Sequence, residues 1–250
     1  MRAEPILRAA AAVTIVMAFW HLASAALRTY FLPGPLDVVP CLLALLGEPS
    51  TWGHIASSAA RVAVGLALGS VVGLAMGVAP RYLPGAGFIL EDVVYPVLES
   101  VPTICWALIF AVLFGLAGTV PTLAVAVAVA PFFAVNAWEG VKELDEPLIE
   151  MAHSFTRSRA RVLRFVVLPM LYPYLFSALR SSLQVSWKVV VLGEVFGAVD
   201  GIGYMIWTAF SSFNAPLMLS WVLISALIIV LSEFVVFKYL DRRFMRRWRR

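Results

Sequence analysis

The chain has 250 residues, 62% of them hydrophobic and only 14% charged, with a mean hydropathy of +0.90, whereas soluble domains average about 45–50% apolar and about 25% charged residues. Composition therefore excludes a soluble fold and leaves no room for a separate soluble catalytic domain. The net charge of +4, from 19 Lys and Arg against 15 Asp and Glu, gathers in loops and at the C-terminus, as in a membrane protein and not a nucleic-acid binder.

Uncharged runs at residues 9–27, 62–80, 100–138 and 201–232 set the spans, since a helix needs about 20 apolar residues to cross a hydrocarbon core of about 30 Å. They predict an all-α polytopic membrane protein with about six transmembrane helices in one transmembrane domain, residues 1–250. The first span covers 9–27. Arg2 and Arg8 precede it, and Ala23-Ser24-Ala25 leaves a cleaved signal peptide as the alternative. The apolar stretch continues to Leu27, which favours an uncleaved span. Tyr30-Phe31-Leu32-Pro33-Gly34-Pro35 then suits a chain leaving the membrane at its interface, and a surface helix is expected near 38–46.

The second span, 58–80, carries Gly65, Gly69, Gly73 and Gly77. A spacing of four puts them on one helical face and lets another backbone approach closely. Residues 100–138 are too long for one span, and Gly115-Leu116-Ala117-Gly118-Thr119-Val120-Pro121 divides them, giving spans 97–115 and 119–138. A polar loop, 139–169, precedes the fifth span, 170–192. The last span, 216–236, ends in a strongly basic tail, an expected lipid-headgroup anchor.

Six spans with a cytoplasmic N-terminus place Arg2, Arg8, Arg81, Lys142, four arginines within 157–164, Lys238 and six arginines within 242–250 on the cytoplasmic side. Only Arg28 and Arg61 fall outside. That asymmetry puts both termini in the cytoplasm.

Few residues suggest chemistry of their own. His21, His54 and His153 lie in different segments and make no metal-ligand spacing. Cys41 and Cys105 make no disulfide framework, and the chain has neither a phosphate-binding Gly-x-x-x-x-Gly-Lys-Ser/Thr loop nor a nucleophile constellation. No enzyme and no cofactor are expected in this chain. Span five is different. Arg180, Gln184 and Lys188 fall within about 80° of one another on a helix, and charges at membrane depth usually face a bundle interior or water. Together with Glu194 they are the candidate translocation path, suited to an anionic solute. Outward snorkelling of Lys188, or its pairing with Glu194, is the structural alternative.

The loop before span five reads Glu150-Met151-Ala152-His153-Ser154-Phe155-Thr156, nine residues, then Val166-Val167-Leu168-Pro169. It resembles the signature of bacterial importer permeases of the ATP-binding-cassette superfamily: Glu-Ala-Ala, three residues, Gly, nine residues, Ile, any residue, Leu-Pro. The spacing matches throughout, with Met151 where Ala is usual and Thr156 where Gly is usual. Pro147 suits a first helical turn, Asp145 and Glu146 favour its positive end, and Leu148, Met151, Ala152 and Phe155 recur at helical spacing. A short amphipathic surface helix is expected.

The resemblance extends to Leu32-Pro33-Gly34-Pro35, Ser58-Ala59-Ala60-Arg61, Val101-Pro102-Thr103, Ala178-Leu179-Arg180, Trp187, Glu194 and Gly201-Ile202-Gly203-Tyr204, which look like permeases for nitrate, taurine and alkanesulfonates. Cys105-Trp106-Ala107-Leu108 lacks a second proline usual there. The resemblance implies a type I importer permease in a bacterial plasma (inner) membrane, with the coupling surface at Glu150, Met151, Ala152, Phe155 and Thr156 and the loop-to-span signature at Leu168 and Pro169. It further implies a second copy of the chain, separate ATP-binding subunits carrying ATP and Mg, and an extracytoplasmic substrate-binding protein. Nitrate, sulfonates, taurine and vitamin precursors are the substrate classes left open. An ion-gradient-driven secondary transporter or channel is the alternative, which the charges of span five would also permit.

Overall fold

The computed structural model describes residues 3–27, 32–83 and 85–244, all helices and short connections with no strand among them. Arg2, Arg28, Tyr30, Phe31 and the end of the basic tail, 245–250, lie outside the described residues. Ten helical segments follow in order: α1 (Ala3–Leu27), α2 (Pro35–Gly47), α3 (Pro49–Val78), α4 (Ala86–Ser100), α5 (Thr103–Phe114), α6 (Thr119–Lys142), α7 (Glu146–Phe155), α8 (Arg159–Gly197), α9 (Ile202–Ser211) and α10 (Ala215–Phe244). α3, α6, α8 and α10 are long and apolar enough to cross a membrane. α4 and α5, bent by 78° at Val101-Pro102, make a fifth crossing if they act as one.

α6 is the hub. Of its most apolar stretch 56% is buried, against 28% for α3 and 17% for α8, because both α3 and α8 pack on it. The α3 contact is a register of glycine against carbonyl. A methyl group on Gly65 would sit 2.7 Å from the Thr122 carbonyl oxygen, and on Gly69, Gly73 and Gly77 it would collide with the carbonyls of Ala126, Ala130 and Ala134. Both helices advance four residues per contact, so the stripe expected to meet another backbone meets α6 of its own chain, at a distance only small residues permit. In the α8 contact, Gly140 of α6 receives Leu171 and Tyr174, while Gly193 and Gly197 of α8 receive Pro121 and Val120. α8 thus runs antiparallel to α6.

Two segments depart from the expected boundaries. The segment expected as 97–115 begins at Ala86, and its break falls at Pro102, inside it: Pro102 cannot continue the hydrogen-bond ladder and holds Val101 in an extended conformation, φ −76° and ψ 118°. The loop expected over 139–169 is mostly helical, since α8 starts at Arg159, capped by the Ser158 hydroxyl. The wider turn over 163–167 lies just before Pro169, so the proline sits inside the helix instead of opening it.

α1 stands apart. It is tied to the chain by Trp20 Nε1, donating to the Pro33 carbonyl at 3.1 Å, and Ser24 Oγ, donating to Leu32 at 2.8 Å, while Val13, Ile15, Val16, Phe19 and Leu22 are exposed.

Candidate functional site

The expected surface helix is α7. Asp145 accepts the Leu148 N–H at 3.1 Å and Pro147 occupies the first turn, which satisfies an orphan donor where a proline needs none. Ile149 inserts into a cluster with Val141, Leu144, Val162 and Leu171, and Ala152 packs beside it. The buried side is therefore Ile149 and Ala152. Met151 and Phe155, expected on the same stripe as Ala152, are 52% and 83% exposed, and Glu150 is exposed beside them. Together these side chains make an uncovered face on α7 opposite its buried side. Arg81 reaches Glu146 at 2.8 Å, and its hydrogen bond holds the Glu146 carboxyl below its usual range.

Thr156 ends the helix in an extended conformation, φ −152° and ψ 132°, which any residue adopts. Its N–H donates to Ala152 at 3.2 Å and its hydroxyl accepts the Ser158 N–H at 3.2 Å. The turn needs no glycine here because no residue in it takes a left-handed conformation. Behind α7, α3 and α8 part over Ala137 and Val141 and leave an open cavity of about 470 Å³.

At the opposite end of the bundle α3 and α8 are locked together. Glu194, fully buried, has the Ser58 hydroxyl within 2.9 Å of both its oxygens, accepts from Arg61 Nη1 at 2.7 Å and accepts the Gly203 N–H at 2.9 Å. Arg61 also donates to the Asp200 carbonyl at 2.9 Å and to its carboxylate. Burial raises the Asp200 carboxyl, but hydrogen bonds from Arg61 and Ser57 and the charges of Arg61 and His54 outweigh it and hold it below its usual range. The Gly201 N–H donates to His54 Nδ1 at 3.1 Å and the Ile202 N–H to Ser58 Oγ at 2.9 Å. Glycine is required twice. Gly201 has φ +107°, with the Glu194 carboxylate where a Cβ would stand, and a Cβ on Gly203 would lie 2.8 Å from that of Glu194.

This network corrects two expectations. Glu194, expected along the path, is sealed inside the protein by Ser58, Arg61 and Gly203, and its cation is Arg61 rather than Lys188. Arg61, expected only as one of two outer-side cations, has a side chain 11% exposed. Their meeting across 133 residues of chain has no local signal, although Ser58 and Arg61 lie three apart on one helical face. The rest of the proposed path lies on a face of α8 that this chain leaves largely uncovered. Arg180 and Lys188 are exposed, Gln184 is half-buried, and Arg180 Nη2 lies 3.7 Å from Glu233 of α10. Among the described residues no group of His, Cys, Asp and Glu could hold a metal ion.

Comparison with known proteins places these features in context. Residues 65–250 match the profile of the binding-protein-dependent transport system inner membrane component. The taurine transport system permease protein TauC of Escherichia coli is 29% identical over 88% of this chain and 82% of its own length. The nitrate import permease protein NrtB of Synechococcus elongatus is 27% identical over 84% and 78%. Among solved structures, an inward-facing form of the MetNI methionine ABC transporter superposes with a TM-score of 0.61 at 22% identity, over 76% of this chain and 95% of that one.

Proposed function

The chain belongs to the binding-protein-dependent transport system inner membrane component family, and from that membership we propose how its surfaces divide the work of an ATP-driven importer whose membrane-spanning subunit it is. Exposed α7 is the coupling surface. Glu150, Met151, Phe155 and Thr156 dock into a groove on a separate ATP-binding subunit, Ala152 backs them, and hydrolysis of ATP with Mg takes place there and not on this chain. The observation that carries this reading is the split face of α7: Ile149 is anchored in the bundle while Phe155, 83% exposed, points away from it.

The sparsely buried face of α8 then meets a second copy of the chain, and Arg180, Gln184 and Lys188 line the path between them. A cationic lining suits a small acid, of the nitrate, sulfonate, taurine or vitamin-precursor class, delivered by an extracytoplasmic binding protein. The α7 end faces the cytoplasm together with both termini in a bacterial plasma membrane, with α1 as the sixth crossing, a reading the cation asymmetry supports. ATP-driven closure of the motors moves the two α7 knobs and rocks the packed helices between inward-open and outward-open states.

Co-purification tests the coupling role. The wild-type chain should bring down a nucleotide-binding subunit and Glu150→Arg should lose it, with the membrane level of the chain unchanged. A wild-type chain with no such subunit would overturn the reading.

A further inference from the structure

The break between α4 and α5 borders a second open cavity, of about 390 Å³, whose walls include Thr103, Trp106, Pro131, Phe132, Val185 and the exposed Glu99. Pro131 lies midway along the 24-residue α6, about 18 Å from either end at 1.5 Å per residue. The cavity is therefore at mid-depth, and so is Glu99. The span boundaries read from sequence put this carboxylate near a membrane surface; the longer α4 carries it inward.

Glu99 has no ion pair or side-chain hydrogen bond among the described residues. A lone carboxylate at membrane depth is costly facing lipid, so it belongs to a water-filled route or awaits a cationic partner. Its surroundings favour the second use by a mobile solute. The indole of Trp106 offers a face for a cation and Thr103 a hydroxyl, and a broken helix at mid-depth is where transport proteins place solute contacts. Lys188, three residues beyond Val185, lies about 60° around α8 from that wall. Glu99 is thus in the cavity wall, and Gln184 and Lys188 lie outside that wall, on the adjoining face of α8.

Resting on the permease reading above, we propose that this cavity is a subsite of the translocation path for a solute bearing charges of both signs. Its positively charged nitrogen lies between Glu99 and Trp106, and its acidic end lies toward Gln184 and Lys188. A solute with an acid alone satisfies only the α8 side and leaves Glu99 unpaired.

Charge-selective thiol labelling of the full chain in membrane vesicles tests this without knowing the solute. In a Cys41→Ser, Cys105→Ala background, Thr103→Cys and Gln184→Cys are each reacted with trimethylammonioethyl and sulfonatoethyl methanethiosulfonate, every rate being divided by that of the same reagent with a free thiol. Thr103→Cys should prefer the cationic reagent by about tenfold, the effect of one charge several ångströms away. Glu99→Gln should abolish that preference and Glu99→Asp should keep it. Gln184→Cys should prefer the anionic reagent, and Lys188→Gln should weaken that preference. Equal rates at Thr103→Cys, the same sign at both sites, or no reaction with either reagent would overturn the proposal. Labelling as expected in a chain that brings down no ATP-binding subunit would overturn the permease reading and leave the dipolar cavity standing; the converse would remove only the cavity.

Discussion

The two ends of the bundle are built on opposite plans. At the Glu194 end, α3, α8 and the turn into α9 are tied by a carboxylate with its partners in place and by glycines that bring backbone against it. At the α7 end the same two helices part over a 470 Å³ cavity, and the charged contact between α7 and the end of α3, Arg81 with Glu146, is largely exposed. α3 and α8 bond to each other directly at the first end, whereas at the second each packs on α6, through Gly77 and Gly140, with the cavity between them, so the two can shift relative to each other there. On the reading proposed above, the network acts as the pivot and the knob as the lever arm.

The comparison breaks most severely at the pivot. Arg61→Met leaves Glu194 buried without its cation, a change that costs about 3–5 kcal/mol. Little folded protein should survive extraction, read by size-exclusion chromatography after a heating series. Arg61→Met with Glu194→Met should recover part of the loss, because the uncompensated charge goes while the Gly203 N–H stays orphaned. If Arg61→Met alone matched the wild type, the pivot would not hold the bundle. Next in size is Gly69→Leu with Gly73→Leu, which drives side chains into the Ala126 and Ala130 carbonyls. Overpacking of this kind costs about 1–3 kcal/mol per site or more, and ATP-coupled uptake should fall below detection. Normal uptake by that protein would show that α3 can stand away from α6.

Legibility in the sequence differs between the ends for the same reason. α7 is local: its capping aspartate, first-turn proline and signature spacing lie between Asp145 and Pro169, so its position and character could be read directly. Which side it buries could not, because Ile149 and Phe155 are equally apolar and only the cluster around Val162 and Leu171 chooses between them. The glycine stripe announced a close contact, but its partner depends on carbonyls more than fifty residues away. Glu194 read as a path residue because it follows the charged face of Arg180, Gln184 and Lys188 on the same segment, and nothing near it in sequence points to Arg61. Glu99 was hidden by a boundary, since its depth follows from a helix that begins at Ala86 and from a break at Pro102.

At the lever arm, stability and function should separate. Glu150→Arg and Phe155→Ser alter exposed side chains, where substitutions usually stay within about 0.5 kcal/mol, so heating profiles should match the wild type. Co-purification of the ATP-binding subunit should nevertheless fall about tenfold, as expected for a residue central to an interface. Equal losses of stability and binding would mean that α7 is part of the bundle's core and no lever.

The smallest effect expected is at the tie between Arg81 and Glu146, and its sign follows from the direction of the shift. Arg81 lowers the folded-state pKa of Glu146 below its unfolded value. Any stabilisation is therefore complete above the unfolded value and disappears as pH falls through the folded one. Because both side chains are open to water, ions screen the pair. Glu146→Gln should leave the heating profile within error at neutral pH and change coupled ATP hydrolysis by less than about twofold, the scale of an exposed pair. A wild-type acid-dependent loss of coupling that Glu146→Gln reproduces at neutral pH, and high salt mimics, would show that the lever is held by this single contact. Insensitivity to all three would leave Ile149 and its apolar cluster as the hinge on which α7 turns.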